Sequence, residues 1–146
     1  MQAKRTGDVT RTSLTGGCLC GSVRYETEAP VSDATFCHCA SCRRASGAVA
    51  LPWLTVERGT LRWSGRAAPA SYQSSPGVTR QFCARCGTPL TYSSTASPAT
   101  VDLTFGSLDA PGQLAPRDHI WMDDALPWDR PCDALPQHPR ARPQHD

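Results

Sequence analysis

From Leu14 onward the chain reads in short stretches where apolar and polar positions alternate, the two-residue period of a half-buried strand. This pattern predicts strands over 14–18, 22–26, 31–36, 49–56, 60–63, 70–73, 79–82, 90–93 and 100–105. In the second of these, Val23 and Tyr25 alternate with polar neighbours, and residues 18–21 form the turn before it. Glu57-Arg58-Gly59 and Ser75-Pro76-Gly77 are turn signals between later strands. No stretch of ten or more residues carries a helical period; 41–46, stopped by Gly47, predicts a single helical turn. Residues 1–13 are polar and aperiodic and read as an N-terminal arm, 110–116 as a Pro/Gly loop, and 137–146 as a Pro/Arg/His-rich tail without core potential. The expectation is one mainly β domain over 14–136, with little helix.

Composition changes this picture in one respect. In 146 residues there are 13 prolines and 11 glycines, so the elements are short and the core is broken by turns. Cross-links by metal would supplement such a core. Net charge is +2 with the basic residues scattered, which gives no footprint for nucleic acid or an anionic membrane. No apolar stretch follows the basic residues at the start, and no apolar run reaches the ~18 residues of a membrane span. The expected compartment is therefore the reducing cytoplasm, where clustered cysteines hold metal more often than they form disulfides.

Seven of the eight cysteines are clustered: Cys18-Leu19-Cys20, Cys37-His38-Cys39-Ala40-Ser41-Cys42 and Cys83-Ala84-Arg85-Cys86. Disulfides inside such short spacings are strained. In Cys83-Ala84-Arg85-Cys86-Gly87 the chain can turn both sulfurs onto one ion, and the glycine accepts the backbone angle of that turn. A redox pair at this spacing would open a helix, whereas Thr88-Pro89 here lead back into a strand. Either Cys18 and Cys20 or members of the triplet could complete the knuckle. Pairing the two doublets gives a closed four-sulfur site and leaves Cys37, Cys39 and Cys42 with each other.

In an extended segment Cys37 and Cys39 point to one side and His38 to the other, and a turn at 40–41 brings Cys42 round. His38 is therefore read as a packing or hydrogen-bonding residue. His119 and Cys132 remain as distant candidates to close the site, Cys132 reading as a bystander thiol. Three thiolates leave a tetrahedral zinc with an open position. That soft, net-negative shell suits an incoming sulfur ligand better than water activation, so a small thiol could be held there to attack a carbonyl carbon. Arg43 and Arg44 either offset the charge or hold a substrate carboxylate, or are solvated surface charges.

Gly16-Gly17-Cys18-Leu19-Cys20-Gly21, the run from Cys37 to Gly47, Phe82-Cys83-Ala84-Arg85-Cys86-Gly87-Thr88-Pro89-Leu90 and the segment from His119 to Trp128 resemble the glutathione-dependent formaldehyde-activating enzyme family, which includes centromere protein V-like members. The resemblance implies small antiparallel sheets arranged like a tent around two zinc ions. It implies a structural zinc on Cys18, Cys20, Cys83 and Cys86 and a catalytic zinc on Cys37, Cys39 and Cys42. It further implies a carbon–sulfur lyase that condenses formaldehyde with glutathione to S-(hydroxymethyl)glutathione. The partners expected on this reading are a glutathione-like thiol and a small aldehyde. His119, Trp121 and Trp128 read either as pocket wall or as the edge of the core. The competing functions are a non-catalytic zinc-binding interaction module and a sensor of thiol or zinc stress.

Overall fold

The structure is a computed structural model and describes residues 13–28 and 31–143. The arm expected over 1–13 lies outside the described residues except for Ser13, which begins the first strand. Among the described residues ten strands run in chain order: β1 (Ser13–Gly17), β2 (Arg24–Glu28), β3 (Asp33–Cys37), β4 (Leu51–Glu57), β5 (Arg62–Trp63), β6 (Ala70–Ser75), β7 (Val78–Phe82), β8 (Pro89–Ser94), β9 (Thr100–Thr104) and β10 (His119–Ile120). The α-helix α1 (Ala40–Ser46) follows β3. The mainly β class with little helix is thus what the alternation predicts. The Pro76-Gly77 turn joins β6 to β7, and the Glu57-Arg58-Gly59 signal falls at a single 3-10 turn over Arg58–Thr60.

Two sheets form, β1-β2-β5 and β10-β3-β4-β9-β8-β7-β6. All neighbours are antiparallel except β10 and β3, which pair in parallel through His119 with Phe36 and Ile120 with Cys37. Successive side chains of a strand leave opposite faces, so each strand of the larger sheet carries two different surfaces. One face is dry. Leu54 and Val56 of β4, Leu90 of β8 and Val101 and Leu103 of β9 join Leu14, Val23 and Tyr25 of the smaller sheet region in the main core. Leu54, Leu90 and Leu103 are wholly inaccessible, and each contributes about 1.5–3 kcal/mol by burial. The Tyr25 hydroxyl finds its partner in the Ser107 hydroxyl at 2.8 Å, which lets a phenol sit in that core.

The opposite face carries the chemistry. Cys37 of β3 and Trp53 of β4 form a second cluster there with Leu51 and Cys42 of α1. In register across the same face lie Asp33 of β3, Thr55 of β4, Asp102 of β9, Tyr92 of β8 and Arg80 of β7.

Residues 136–142, within and just before the stretch read as a tail, pair with the domain through their backbone. The amide of His119 donates to the Pro136 carbonyl and that of His138 to the His119 carbonyl, while those of Trp121 and Met122 donate to the carbonyls of Arg140 and His138. Arg142 then inserts between Asp33 and Asp118, donating to Asp118 Oδ1 at 2.7 Å and to the second oxygen of each acid. The docking comes from backbone pairing and ion pairs, for which a Pro-rich composition gives no apolar signal. Among the described residues no helix is long and apolar enough to cross a membrane.

Candidate metal centres and their cavity

The turn after β1 carries Cys18 and Cys20, and the turn after β7 carries Cys83 and Cys86. Each is tightened by a glycine in the left-handed region: Gly21 (φ 76°) donates to the Cys18 carbonyl, and Gly87 (φ 77°) to that of Cys83. The four sulfurs lie within 4.8 Å of one another. Cys18 and Cys20 are 3.6 Å apart and Cys20 and Cys83 3.8 Å. A tetrahedral ion with zinc–sulfur bonds of about 2.3 Å would place its sulfurs about 3.8 Å apart, so the spacing fits.

The surroundings favour the thiolate at Cys18 and Cys86, whereas, against the Ser22 hydrogen bonds, burial and the protons shared with Cys18 and Cys86 push the Cys20 thiol up. Burial pushes the Cys18 thiol up, but the Val23 N–H at 3.3 Å and the neighbouring sulfurs and Ser22 bring it down to about 7. Cys86 is lowered to about 5, first by the Thr88 hydroxyl at 3.2 Å and then by backbone N–H groups. Thr88 also accepts from the Leu19 amide at 3.0 Å, tying the two turns together.

The second cluster is built on the end of β3 and the start of α1. Cys37 is its strand residue, Cys39 the N-cap whose sulfur accepts from the Cys42 amide at 3.4 Å, and Cys42 lies in the first turn. Their sulfurs also lie within 4.8 Å of one another. Hydrogen bonds from Cys37 and Cys39 hold the Cys42 sulfur down to about 2, against burial and with help from Trp53 and Arg80. The Trp53 indole Nε1–H donates to it at 3.4 Å and Arg80 Nη2 at 3.6 Å. Sharing those protons pushes the Cys37 thiol up. An all-sulfur donor set with N–H groups aimed at one sulfur fits a soft divalent ion.

The sequence candidates sort cleanly. His38 turns from the sulfurs, as the strand geometry requires, and its Nε2 meets His119 Nδ1 at 2.9 Å. His119 in turn places Nε2 3.0 Å from Asp133 and stacks on Phe36, so it closes neither cluster. Burial, then the His119 ring, holds His38 below the usual imidazole range. Cys132 is exposed and stands apart from both clusters. The cation on the triplet is Arg80, in place of Arg43 or Arg44. Of the three aromatic-segment residues, Trp121 lines the cavity over the triplet, His119 is buried behind it, and Trp128 is 74% exposed.

That cavity, of about 430 Å³, opens on the three cysteines. All three line it, with Trp53, Tyr92, Trp121, Arg80, Asp33, Asp102 and Asp124. Trp121 sits there in the left-handed region (φ 60°), a strained backbone for a bulky residue that the 138–140 segment holds in place. The Arg80 guanidinium lies 5.0 Å from the Tyr92 ring centre. Sequence reasoning missed Asp102, Arg80, Tyr92 and Trp53. A partial signal exists in Val101-Asp102-Leu103, where an acid stands inside an apolar strand.

Residues 13–124 match the family model described as glutathione-dependent formaldehyde-activating enzyme. Among solved structures, a Rhodobacter sphaeroides protein from the Northeast Structural Genomics programme is 25% identical. The alignment covers 70% of this chain and 97% of that chain, with a TM-score of 0.56. No curated protein matches the chain.

Proposed function

The chain belongs to the glutathione-dependent formaldehyde-activating enzyme family, and from that premise we propose that it is a zinc-dependent carbon–sulfur lyase of the S-(hydroxymethyl)glutathione synthase type. Two cysteine clusters that could hold metal ions support the reading. On this reading Cys18, Cys20, Cys83 and Cys86 hold a structural zinc that fastens the β1–β2 turn to the β7–β8 turn. Cys37, Cys39 and Cys42 hold a second zinc, which supplies an open, soft coordination position for a sulfur donor.

The observation that carries the reading is that the three-sulfur cluster, and not the four-sulfur one, opens on the cavity. A closed site is structural; an incomplete one facing a cavity of this size can receive a small thiol. The chain's own residues would then do the following. Arg80 and the Trp53 indole hold the Cys42 sulfur in position and offset its charge. Trp53, Tyr92 and Trp121 form walls that exclude water from the reacting sulfur. The Tyr92 phenol, pushed up by burial, stays protonated and can donate to a developing oxyanion. A glutathione-like thiol and a small aldehyde are the partners, in a reducing cytoplasmic setting.

The test is NMR exchange spectroscopy on formaldehyde, glutathione and their adduct, with zinc-loaded protein and a Cys39→Ser control. The lyase reading expects faster exchange with wild type than with buffer or the variant. Equal rates in all three would reject glutathione–formaldehyde chemistry.

A further inference from the structure

The cavity contains a half-buried carboxylate that no cation holds among the described residues. In the row across the larger sheet, Asp33 is engaged by Arg142, by Arg117 at 2.8 Å and by the Ala34 amide at 2.8 Å. Arg80 is engaged by the Cys42 sulfur and the Tyr92 ring. Asp102, between them, receives one hydrogen bond among the described residues, from the Thr55 hydroxyl at 2.6 Å. Tyr92 of β8 is its neighbour in register, Asp33 of β3 and Cys42 of α1 act on it through space, and Asp124 shares the cavity wall. None carries positive charge, and Arg80 on β7 is separated from it by the Tyr92 strand.

Placing a carboxylate among such neighbours is costly, and the cost falls on its charged form. Burial, opposed by Thr55 and reinforced by Asp33 and Cys42, pushes Asp102 up to about 6. Its contribution to the fold is one hydrogen bond, which a neutral side chain could make equally well. An acid poised near neutrality on the wall of a reactive cavity is where proton transfer is most efficient.

Resting on the lyase reading, we propose that Asp102 is a catalytic residue that carries the proton between the thiol sulfur and the aldehyde oxygen. In the condensing direction the S–H bond of the thiol breaks and its proton passes to the Asp102 carboxylate. The sulfur lone pair forms the new S–C bond, the π pair of the C=O bond moves to oxygen, and that oxygen takes the proton from Asp102. Thiol plus aldehyde gives the hydroxymethyl thioether with Asp102 returned to its starting state. Cleavage of the adduct is the same sequence reversed.

The experiment follows exchange between formaldehyde, glutathione and the adduct from pH 5 to 8, using the zinc-loaded full chain, Asp102→Asn and Asp102→Glu. The wild-type acceleration should change with pH around a midpoint near 6. Asp102→Asn should lose about ten-fold or more of the acceleration, together with that midpoint, while binding as much zinc as wild type. Asp102→Glu should restore part of it. An Asn variant with the wild-type rate and profile would overturn the role of Asp102 and leave the lyase reading standing. No acceleration by wild type would overturn the lyase reading and the role with it. A readout independent of turnover is the carbon-13 shift of the Asp102 carboxyl, where titration in the ordinary range near 4 would overturn the proposal on its own.

Discussion

Replacing Asp102 by Asn should make the protein more stable at neutral pH, and the size of the gain follows from where Asp102 sits. Its folded-state value of about 6 lies above the ordinary 3.8 because burial disfavours the carboxylate. A carboxyl raised in this way adds nothing unfavourable below about pH 3, where both states are protonated. Stability is lost as pH rises from about 4 through 6, since the unfolded chain ionises first. A rise from 3.8 to about 6 is roughly a hundred-fold tighter hold on the proton. At about 1.36 kcal/mol for each factor of ten, that sets a ceiling of roughly 3 kcal/mol above pH 7. Residual solvent screening reduces this to roughly 2 kcal/mol. Asn keeps an oxygen for the Thr55 hydroxyl and has no charge to desolvate. The expected gain is therefore roughly 2 kcal/mol at pH 8, about half that at pH 5, and none below about pH 3. For a chain of this size it corresponds to a Tm increase of about 4–8 °C at pH 8. Urea melts of both zinc-loaded proteins at pH 5 and 8 measure it. Equal or lower stability of the Asn variant at pH 8 would mean that the carboxylate is compensated in place, and the reasoning would fail.

Other perturbations probe the two metal sites and the docked C-terminal segment. Cys86→Ser should cost the four-sulfur site its metal and leave the chain without cooperative melting at 37 °C, because structural zinc binding of about 10 kcal/mol or more is folding energy. Cys39→Ser should melt cooperatively while losing one of two zinc ions by metal analysis; equal unfolding by both changes would make both sites structural. Trp53→Phe keeps a ring against Tyr92 but removes the N–H that points at Cys42, so chelator competition should show about ten-fold weaker retention at the triplet alone. Arg142→Ala leaves the buried Asp118 carboxylate without its main partner and should lower stability by roughly 2–4 kcal/mol in urea melts at pH 7. Because Arg142 and other partners hold Asp118 below the ordinary carboxylate range, that loss should shrink as pH falls towards 3.

The cysteine clusters were legible in the sequence because their spacing is local. A turn of two or three residues suffices to aim Cys18 with Cys20, or Cys83 with Cys86, and the direction of His38 follows from the strand pleat alone. The strands were legible for the same reason, since alternation is a nearest-neighbour property; boundaries moved by about two residues, as with 22–26 against Arg24–Glu28. The cavity wall was not legible. Asp102, Tyr92 and Arg80 become neighbours only through the register of three strands, and register is set by the whole sheet. The two-residue β10 and the docking of 136–142 lack an apolar signature, because backbone pairs and the Arg142 clamp on Asp33 and Asp118 hold them.

Everything proposed for the reaction depends on the triplet being an open sulfur site able to accept a thiol. X-ray absorption at the zinc edge tests it most directly, on the two-zinc protein with and without glutathione. One closed and one open site predict a mean of about 3.5 sulfurs per zinc, rising to about 4 when glutathione is added. A mean that stays unchanged on addition of the thiol would contradict the account.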